Sequence, residues 1–339
     1  MKVLVTGGCG FIGSHTIVSL LNNGYEVISI DDNSRSTTAT LDGVEAITGV
    51  KIKNYQVDLC DLIKTKAIFA EHADISGVIH FAAYKSVGES VSVPLVYHRN
   101  NLDGLINILE CVKEFGVKNF VFSSSCSVYG NIEHLPVTED TPFKEAESPY
   151  ARTKQLGEFI IRDFAKATPE VNSMVLRYFN PAGAHPSGKL GEISWGKPIY
   201  LVPVITDTAL GKRDKMTVFG NDYDTRDGSC VRDYIHIMDL ANAHTNALEF
   251  ANNDKGETNC EVFNLGIGEG VTVLEAILAF EKVSGLKLNY EIGERRDGDV
   301  VAIYAEPTKA FDVLGFKPEY NIEDIMSSAW EWDRKMNEA

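Results

Sequence analysis

Val3-Leu4-Val5-Thr6-Gly7-Gly8-Cys9-Gly10-Phe11-Ile12-Gly13 decides how the rest of the chain is read. Three apolar residues make a short buried strand, and the glycines after them mark a turn into a helical pattern over about residues 14–22. A G-x-x-G-x-x-G string alone is a weak sign, because any strand-to-helix turn can hold glycines. Between a strand and a helix, it lets the backbone turn tightly and approach a pyrophosphate closely. The helix N-terminus then offers unpaired N–H groups and the positive end of its dipole. Gly7, Gly10 and Gly13, with Phe11 and Ile12 at the helix start, are candidate dinucleotide contacts.

Outward from this loop, apolar runs at 26–30, 77–81, 119–123 and 174–176 alternate with helical patterns. Near-continuous apolar strands separated by helices predict a parallel sheet covered on both faces. Leu102, Leu105, Ile106, Leu109 and Val112 give residues 101–115 the spacing of an amphipathic helix. After Arg177 the alternation is broken by Pro181, Pro186, Pro198 and Pro203. The prediction is an α/β protein: a Rossmann-type doubly wound parallel sheet with a second, smaller α/β lobe. Residues 1–180 form the dinucleotide-binding domain, to which the chain returns at about 232–265, and residues 181–339 form the second lobe.

Asp31 ends the second strand about 18 residues after Gly13, near the spacing of roughly 20 expected for the acid that binds the adenosine ribose. A carboxylate there accepts bonds from both ribose hydroxyls and repels a 2′-phosphate, so NAD is expected rather than NADP. Arg35 nearby reads as a solvated loop arginine. Asp58, at the end of a third strand over 55–57, reads equally as an adenine contact or as a plain strand-end aspartate.

Ser148-Pro149-Tyr150-Ala151-Arg152-Thr153-Lys154 carries the most chemistry. Ser148 is a good N-cap and Pro149 suits the first helical position. Tyr150 and Lys154 then share a helix face. An ammonium beside a phenol favours the phenolate, as does the positive ring of bound NAD. Moving the phenol from about 10 to about 7 takes roughly 4 kcal/mol. Such a tyrosine can take a proton from a hydroxyl as hydride leaves the same carbon. Alone, the Tyr-x-x-x-Lys pair is as easily chance. Upstream, Ser123-Ser124-Ser125 closes a strand, and in an open parallel sheet ligands bind beyond the strand ends.

The chain has 339 residues, room for two domains that share an interface, and a formal net charge of −16. That charge disfavours a nucleic-acid partner, which needs a basic face. No run of roughly 20 apolar residues would span a bilayer, and no leader pattern precedes the first strand. Six cysteines lie scattered with no C-x-x-C pair and no histidine at ligand spacing. They read as reduced thiols of a cytoplasmic protein, with no metal expected. His80 reads as a packed residue.

With these residues in view, the sequence resembles the extended short-chain dehydrogenase/reductase family, and within it the branch that epimerises nucleotide sugars. The likeness covers essentially the whole chain. It rests on TGGCGFIGSHT from Thr6, HFAAYKSVGES from His80, FSSSCSVYG from Phe122, SPYARTK from Ser148, LRYFNPAGAHPSG from Leu176, VFGNDYDTRDG from Val218 and VRDYIHIMDLA from Val231. The resemblance implies reversible interconversion of UDP-glucose and UDP-galactose through a 4-keto sugar on tightly bound NAD. It implies Tyr150 as acid/base, Lys154 as its partner and nicotinamide-ribose ligand, and Ser125 on the sugar oxygen. It implies further NAD contacts at Leu59, Phe81, Lys85, Asn100 and Tyr178. It implies UDP-sugar contacts at Asn180, Tyr200, Leu201, Val218, Phe219, Arg232, Arg296, Asp299 and Ile303, and a homodimer. Two arginines from a second lobe are what a diphosphate needs, although Arg232 also reads as a structural partner of Asp233.

Two positions depart from the family pattern. Ile199 and Tyr200 stand where asparagines are usual, and Ile303 stands where residue size governs the sugar pocket, which predicts some activity on UDP-N-acetylglucosamine. Rival readings are a uronate or pentose epimerase, a decarboxylase, a 4,6-dehydratase and a non-catalytic NAD sensor. A dehydratase resembles a pattern with acids beside the catalytic hydroxyl, where this chain has Cys126. A sensor typically loses the Tyr or Lys.

Overall fold

Val3 to Thr6 are all buried, which makes β1 (Lys2–Thr6) a strand covered on both faces. The chain goes on to β2 (Glu26–Ile30), β3 (Asn54–Tyr55), β4 (Ile75–His80), β5 (Asn119–Ser125) and β6 (Asn172–Tyr178). Then come β7 (Asn180–Ala182), β8 (Met216–Phe219), β9 (Val231–His236), β10 (Cys260–Leu265), β11 (Gly270–Thr272), β12 (Tyr290–Gly293) and β13 (Ala302–Ile303). The computed structural model describes residues 1–253, 256–296 and 300–338.

Seven strands form one parallel sheet in the order β10-β6-β5-β4-β1-β2-β3. The winding reverses at β1, with β2 and β3 on one side and β4 onward on the other. This is the doubly wound sheet expected, and its ligand crevice belongs beyond the strand ends at that reversal. On one face the helices Phe11–Asn22 and Ile237–Asn252 bury Ile17, Leu20, Leu240 and Leu248. On the other, helices Leu62–Glu71, Gly104–Glu114 and Pro149–Ala167 cover Phe69, Leu105, Ile108, Phe120 and Ile161.

The second lobe holds a smaller sheet in which β9 pairs with β11, β13 and β7, and a separate β8–β12 pair. Its core gathers Met216, Val218, Phe280, Ile325 and Met326. Only Phe179 separates β6 from β7, so the chain steps from one sheet to the other across a single residue.

Three local expectations are corrected. The third strand is only Asn54–Tyr55, so Asp58 lies on the loop beyond it and is exposed. The segment 232–236 belongs to the small sheet, because β9 finds its partners there. The return to the first lobe begins with helix Ile237–Asn252, and β10 then joins the large sheet beside β6. The amphipathic run at 101–115 forms helix Gly104–Glu114 after a wider turn at Arg99–Asp103. Among the described residues, no helix is long and apolar enough to cross a membrane.

Candidate active site

The glycine loop is shaped by what a side chain would strike. Gly7 has φ +70°, and a Cβ there would lie 2.9 Å from the Ala82 amide nitrogen. A Cβ on Gly13 would collide with the Gly7 carbonyl oxygen. Gly7 N donates to Ile30 O at 2.7 Å and Gly10 N to Gly7 O at 3.0 Å, which ties the loop to the end of β2. Helix Phe11–Asn22 starts behind it with no acidic residue in its first turn, so its dipole faces the loop unopposed. A dinucleotide's pyrophosphate fits this cradle.

Asp31 lies one residue past β2 and is 8% exposed. Its Oδ2 accepts from Cys9 N at 3.0 Å; its Oδ1 accepts from Asn33 N at 3.0 Å and from Ser36 Oγ at 2.6 Å. Burial raises its pKa, and these hydrogen bonds hold it back. The carboxyl is positioned at the rim for a ribose. Arg35 is not the solvated loop arginine expected: its guanidinium is paired with Glu89 and is not offered to a 2′-phosphate.

Ser148 caps helix Pro149–Ala167, its Oγ accepting from Ala151 N at 3.1 Å, with Pro149 in the first turn as expected. The cap aims Tyr150 and Lys154 toward the end of β5. Lys154 is 5% exposed, and its Nζ donates to Ser123 O at 2.5 Å. Burial lowers its pKa to about 7, opposed by Glu158 one turn further along. Burial pushes the Tyr150 phenol above the usual tyrosine range, while a Ser125 hydrogen bond and the Lys85 ammonium pull it down. Without the coenzyme, burial therefore keeps the phenol in its neutral form.

All three catalytic candidates line one groove of about 960 Å3, a volume suited to a large ligand. The groove runs from Gly7, Gly10, Phe11, Ile12, Gly13 and Asp31, past Asp58, Leu59, Phe81, Lys85 and Asn100, to Ser125, Tyr150, Lys154 and Tyr178. It continues to Asn180, Tyr200 and Leu201. The Asn180 Oδ1 is buried without a hydrogen-bond partner, so it can accept from a ligand there. Tyr200 immediately precedes helix Leu201–Ala209, and its ring lies under the Lys85 ammonium, 4.8 Å from it.

Five expected substrate contacts lie outside this lining. Val218 is packed in the second-lobe core, and Phe219 carries the Arg296 guanidinium 4.0 Å above its ring. Arg232 donates to Val231 O and Val300 O, both at 2.8 Å, and lies close enough to the groove-lining Cys126 to act on its thiol. Ile303 sits beside Arg232 in register and packs with Tyr129 and Phe179 behind the groove wall. Asp299 lies outside the described residues.

The sequence reading missed two features. Glu192, Ile193, Ser194 and Trp195 also line the groove, from a stretch with no regular pattern. Behind Ser125, Glu158 and Arg177 form a buried pair. Arg177 Nε and Nη2 donate to Glu158 at 2.9 and 2.7 Å, and Ser124 Oγ adds a bond at 2.6 Å. The sign available was a glutamate at 158, four residues after Lys154, and an arginine inside an otherwise apolar strand.

A Tyr-x-x-x-Lys helix meeting a serine-bearing strand end and a glycine loop in one groove defines the class as an extended short-chain dehydrogenase/reductase. The family described as GDP-mannose 4,6 dehydratase matches residues 4–329. The UDP-glucose 4-epimerase of Bacillus subtilis is 47% identical over 332 residues, covering 98% of this chain and 96% of the relative. A crystal structure of UDP-glucose-4-epimerase from Stenotrophomonas maltophila with bound NAD and formylated UDP-arabinopyranose is 41% identical. Its TM-score is 0.96, over 100% of this chain and 99% of that one. One from Bifidobacterium longum in complex with NAD+ and UDP is 44% identical, with TM-score 0.94 over 99% and 98%. The chain belongs to the UDP-glucose 4-epimerase family. Beside Ser125 the groove is lined by Cys126 and Ser127, without the adjacent acids a dehydratase would use to eliminate water.

Proposed function

We propose that the protein interconverts UDP-glucose and UDP-galactose through a 4-keto sugar, using one tightly held NAD that is regenerated at each turnover. The observation that carries this reading is the convergence of Tyr150, Lys154 and Ser125 on a groove that begins at the glycine cradle and ends at Asn180 and Tyr200. NAD, when bound, accepts and returns the hydride at sugar carbon 4, and its positive ring draws the neighbouring phenol toward its anion. Gly7, Gly10, Gly13 and the first turn of the following helix hold the pyrophosphate, Asp31 the adenosine ribose, and Lys85, Asn100 and Lys154 the rest.

Tyr150 takes the proton of the 4-hydroxyl while Ser125 hydrogen-bonds the same oxygen. The second lobe, residues 181–339 apart from the stretch that returns to the large sheet, holds the UDP end, with Asn180 at its border and Arg232 on the diphosphate and Arg296 joining them. The 4-keto sugar turns over while its diphosphate stays anchored, so the opposite face of carbon 4 would receive the hydride as Tyr150 returns its proton to the 4-oxygen. Purified protein incubated with UDP-galactose and no added NAD should form UDP-glucose. Absence of that product in protein shown to contain NAD would overturn the reading.

Ile303 shares a buried cluster with the groove-lining Phe179, and its intermediate size supports some activity on UDP-N-acetylglucosamine. An assay with both sugars decides this, and no turnover of the N-acetyl sugar removes it. A homodimer is supported by exposed apolar residues on three helices that pack together: Leu95 is 81% exposed, Val91 62% and Phe159 50%. Sedimentation reads it directly. A cytoplasmic setting is supported by six cysteines that form no disulfide among the described residues.

A further inference from the structure

We propose that Arg35 and Glu89 form a strap over the glycine loop that governs how slowly the coenzyme exchanges. The proposal rests on the NAD reading above. In the large sheet β1 lies between β2 and β4. Arg35 follows β2, and Glu89 lies on helix Val87–Ser92, which follows β4. A bond between them spans the end of β1, where the glycine cradle sits. Both side chains line the groove, together with Asp31, Ser36 and Tyr84.

The bond is built rather than casual. Arg35 Nη2 donates to Glu89 Oε1 at 2.8 Å and Nη1 donates to Oε2, the two-pronged geometry of a guanidinium on a carboxylate. The Arg35 guanidinium lies 3.8 Å over the Tyr84 ring. Glu89 Oε2 also accepts from the Tyr97 hydroxyl at 2.7 Å, and Tyr97, fully buried, accepts from Ser86 N at 3.1 Å. Arg35 holds the Glu89 carboxyl below the usual carboxylate range. An ordinary surface ion pair contributes little. This one is held from below by a ring and from behind by a buried phenol, and it crosses the path of a ligand whose pyrophosphate rests on the loop. It must open, or be skirted, each time that ligand enters or leaves.

The test is the rate at which protein loaded with isotopically labelled NAD loses label to an excess of unlabelled NAD. The parent, Glu89→Gln, Arg35→Ala and the charge-exchanged double variant Arg35→Glu/Glu89→Arg are compared. The two single variants should exchange about tenfold faster than the parent, and the double variant should recover part of the slow rate. The parent's rate should rise with salt more steeply than either single variant's, since screening acts on the ion pair. A parent that contains no NAD as purified and takes up none of the label overturns the dinucleotide reading and the strap with it. A parent that binds NAD, with single variants exchanging within twofold of it, overturns the strap alone.

Discussion

The two banks of the groove differ in how their residues come to be there. On the bank formed by the large sheet, the expected residues stand at strand ends or on the helices that follow them: Asp31 after β2, Phe81 after β4, Ser125 at the end of β5, and Tyr150 and Lys154 on a capped helix. Of the residues expected on the second-lobe bank, Asn180, Tyr200 and Leu201 reach the lining, while Val218, Phe219, Arg232, Arg296 and Ile303 lie outside it. A parallel sheet delivers its strand ends to one edge whatever the side chains are. A lobe of short strands and loops is placed by contacts distant in sequence. The first bank is set by topology and the second by packing, and substitutions should separate the two.

The largest effect belongs to the chemistry of the sheet bank. Tyr150→Phe should leave NAD bound and reduce turnover by about 10²–10⁴-fold, the scale of one positioned acid/base. Near-normal turnover in that variant would remove Tyr150 from its role. Next comes the buried support behind the same bank. Glu158 and Arg177 have 0% and 1% of their side chains exposed, so Glu158→Ala leaves a buried cation unpaired. It should cost about 3–5 kcal/mol in denaturant unfolding. A loss under about 1 kcal/mol would mean the pair is dispensable.

Lys154 gives a smaller, pH-dependent signature. Its folded pKa is lowered from 10.5 to about 7, so between those values the unfolded chain binds more protons and stability rises with pH. The burden of burying this ammonium is full below about pH 7 and is relieved toward pH 10. Lys154→Met should therefore stabilise the coenzyme-free protein more at pH 6.5 than at pH 9.5, by about 2–3 kcal/mol. Equal gains at the two pH values would show that the lysine is not so strongly desolvated. The smallest effect falls on the far bank. Arg232→Lys should raise the KM for the UDP-sugar by about tenfold, about 1.4 kcal/mol, because an ammonium cannot match two phosphate oxygens at once. An unchanged KM would reassign Arg232 to its bonds with Val231 and Val300.

The same contrast explains what could be read before the fold was known. The Ser148 cap is local, resting on residues within one turn, and the glycine cradle and Asp31 stand at the ends of β1 and β2, where the strand pattern places them. The limit of β3 and the home of β9 depend on which strand edges remain available, and no stretch of either strand records that. Arg35 read as solvated because its partner lies 54 positions away. Lys154 read as the phenol's companion because helical spacing places them on one face. Spacing does not disclose that its ammonium would find the Ser123 carbonyl first.

The single-residue step at Phe179, and the junction where β9 meets the helix starting at Ile237, bear on how the molecule tolerates rearrangement. Each lobe is stitched from separate stretches of chain, with β10 slotted beside β6 only after the small sheet's central strand has been laid down. Neither lobe is a cassette. A hybrid made by joining the front half of this chain to the back half of a relative would have to match two seams at once, so new sugar preferences are better sought by changing groove residues singly than by exchanging halves.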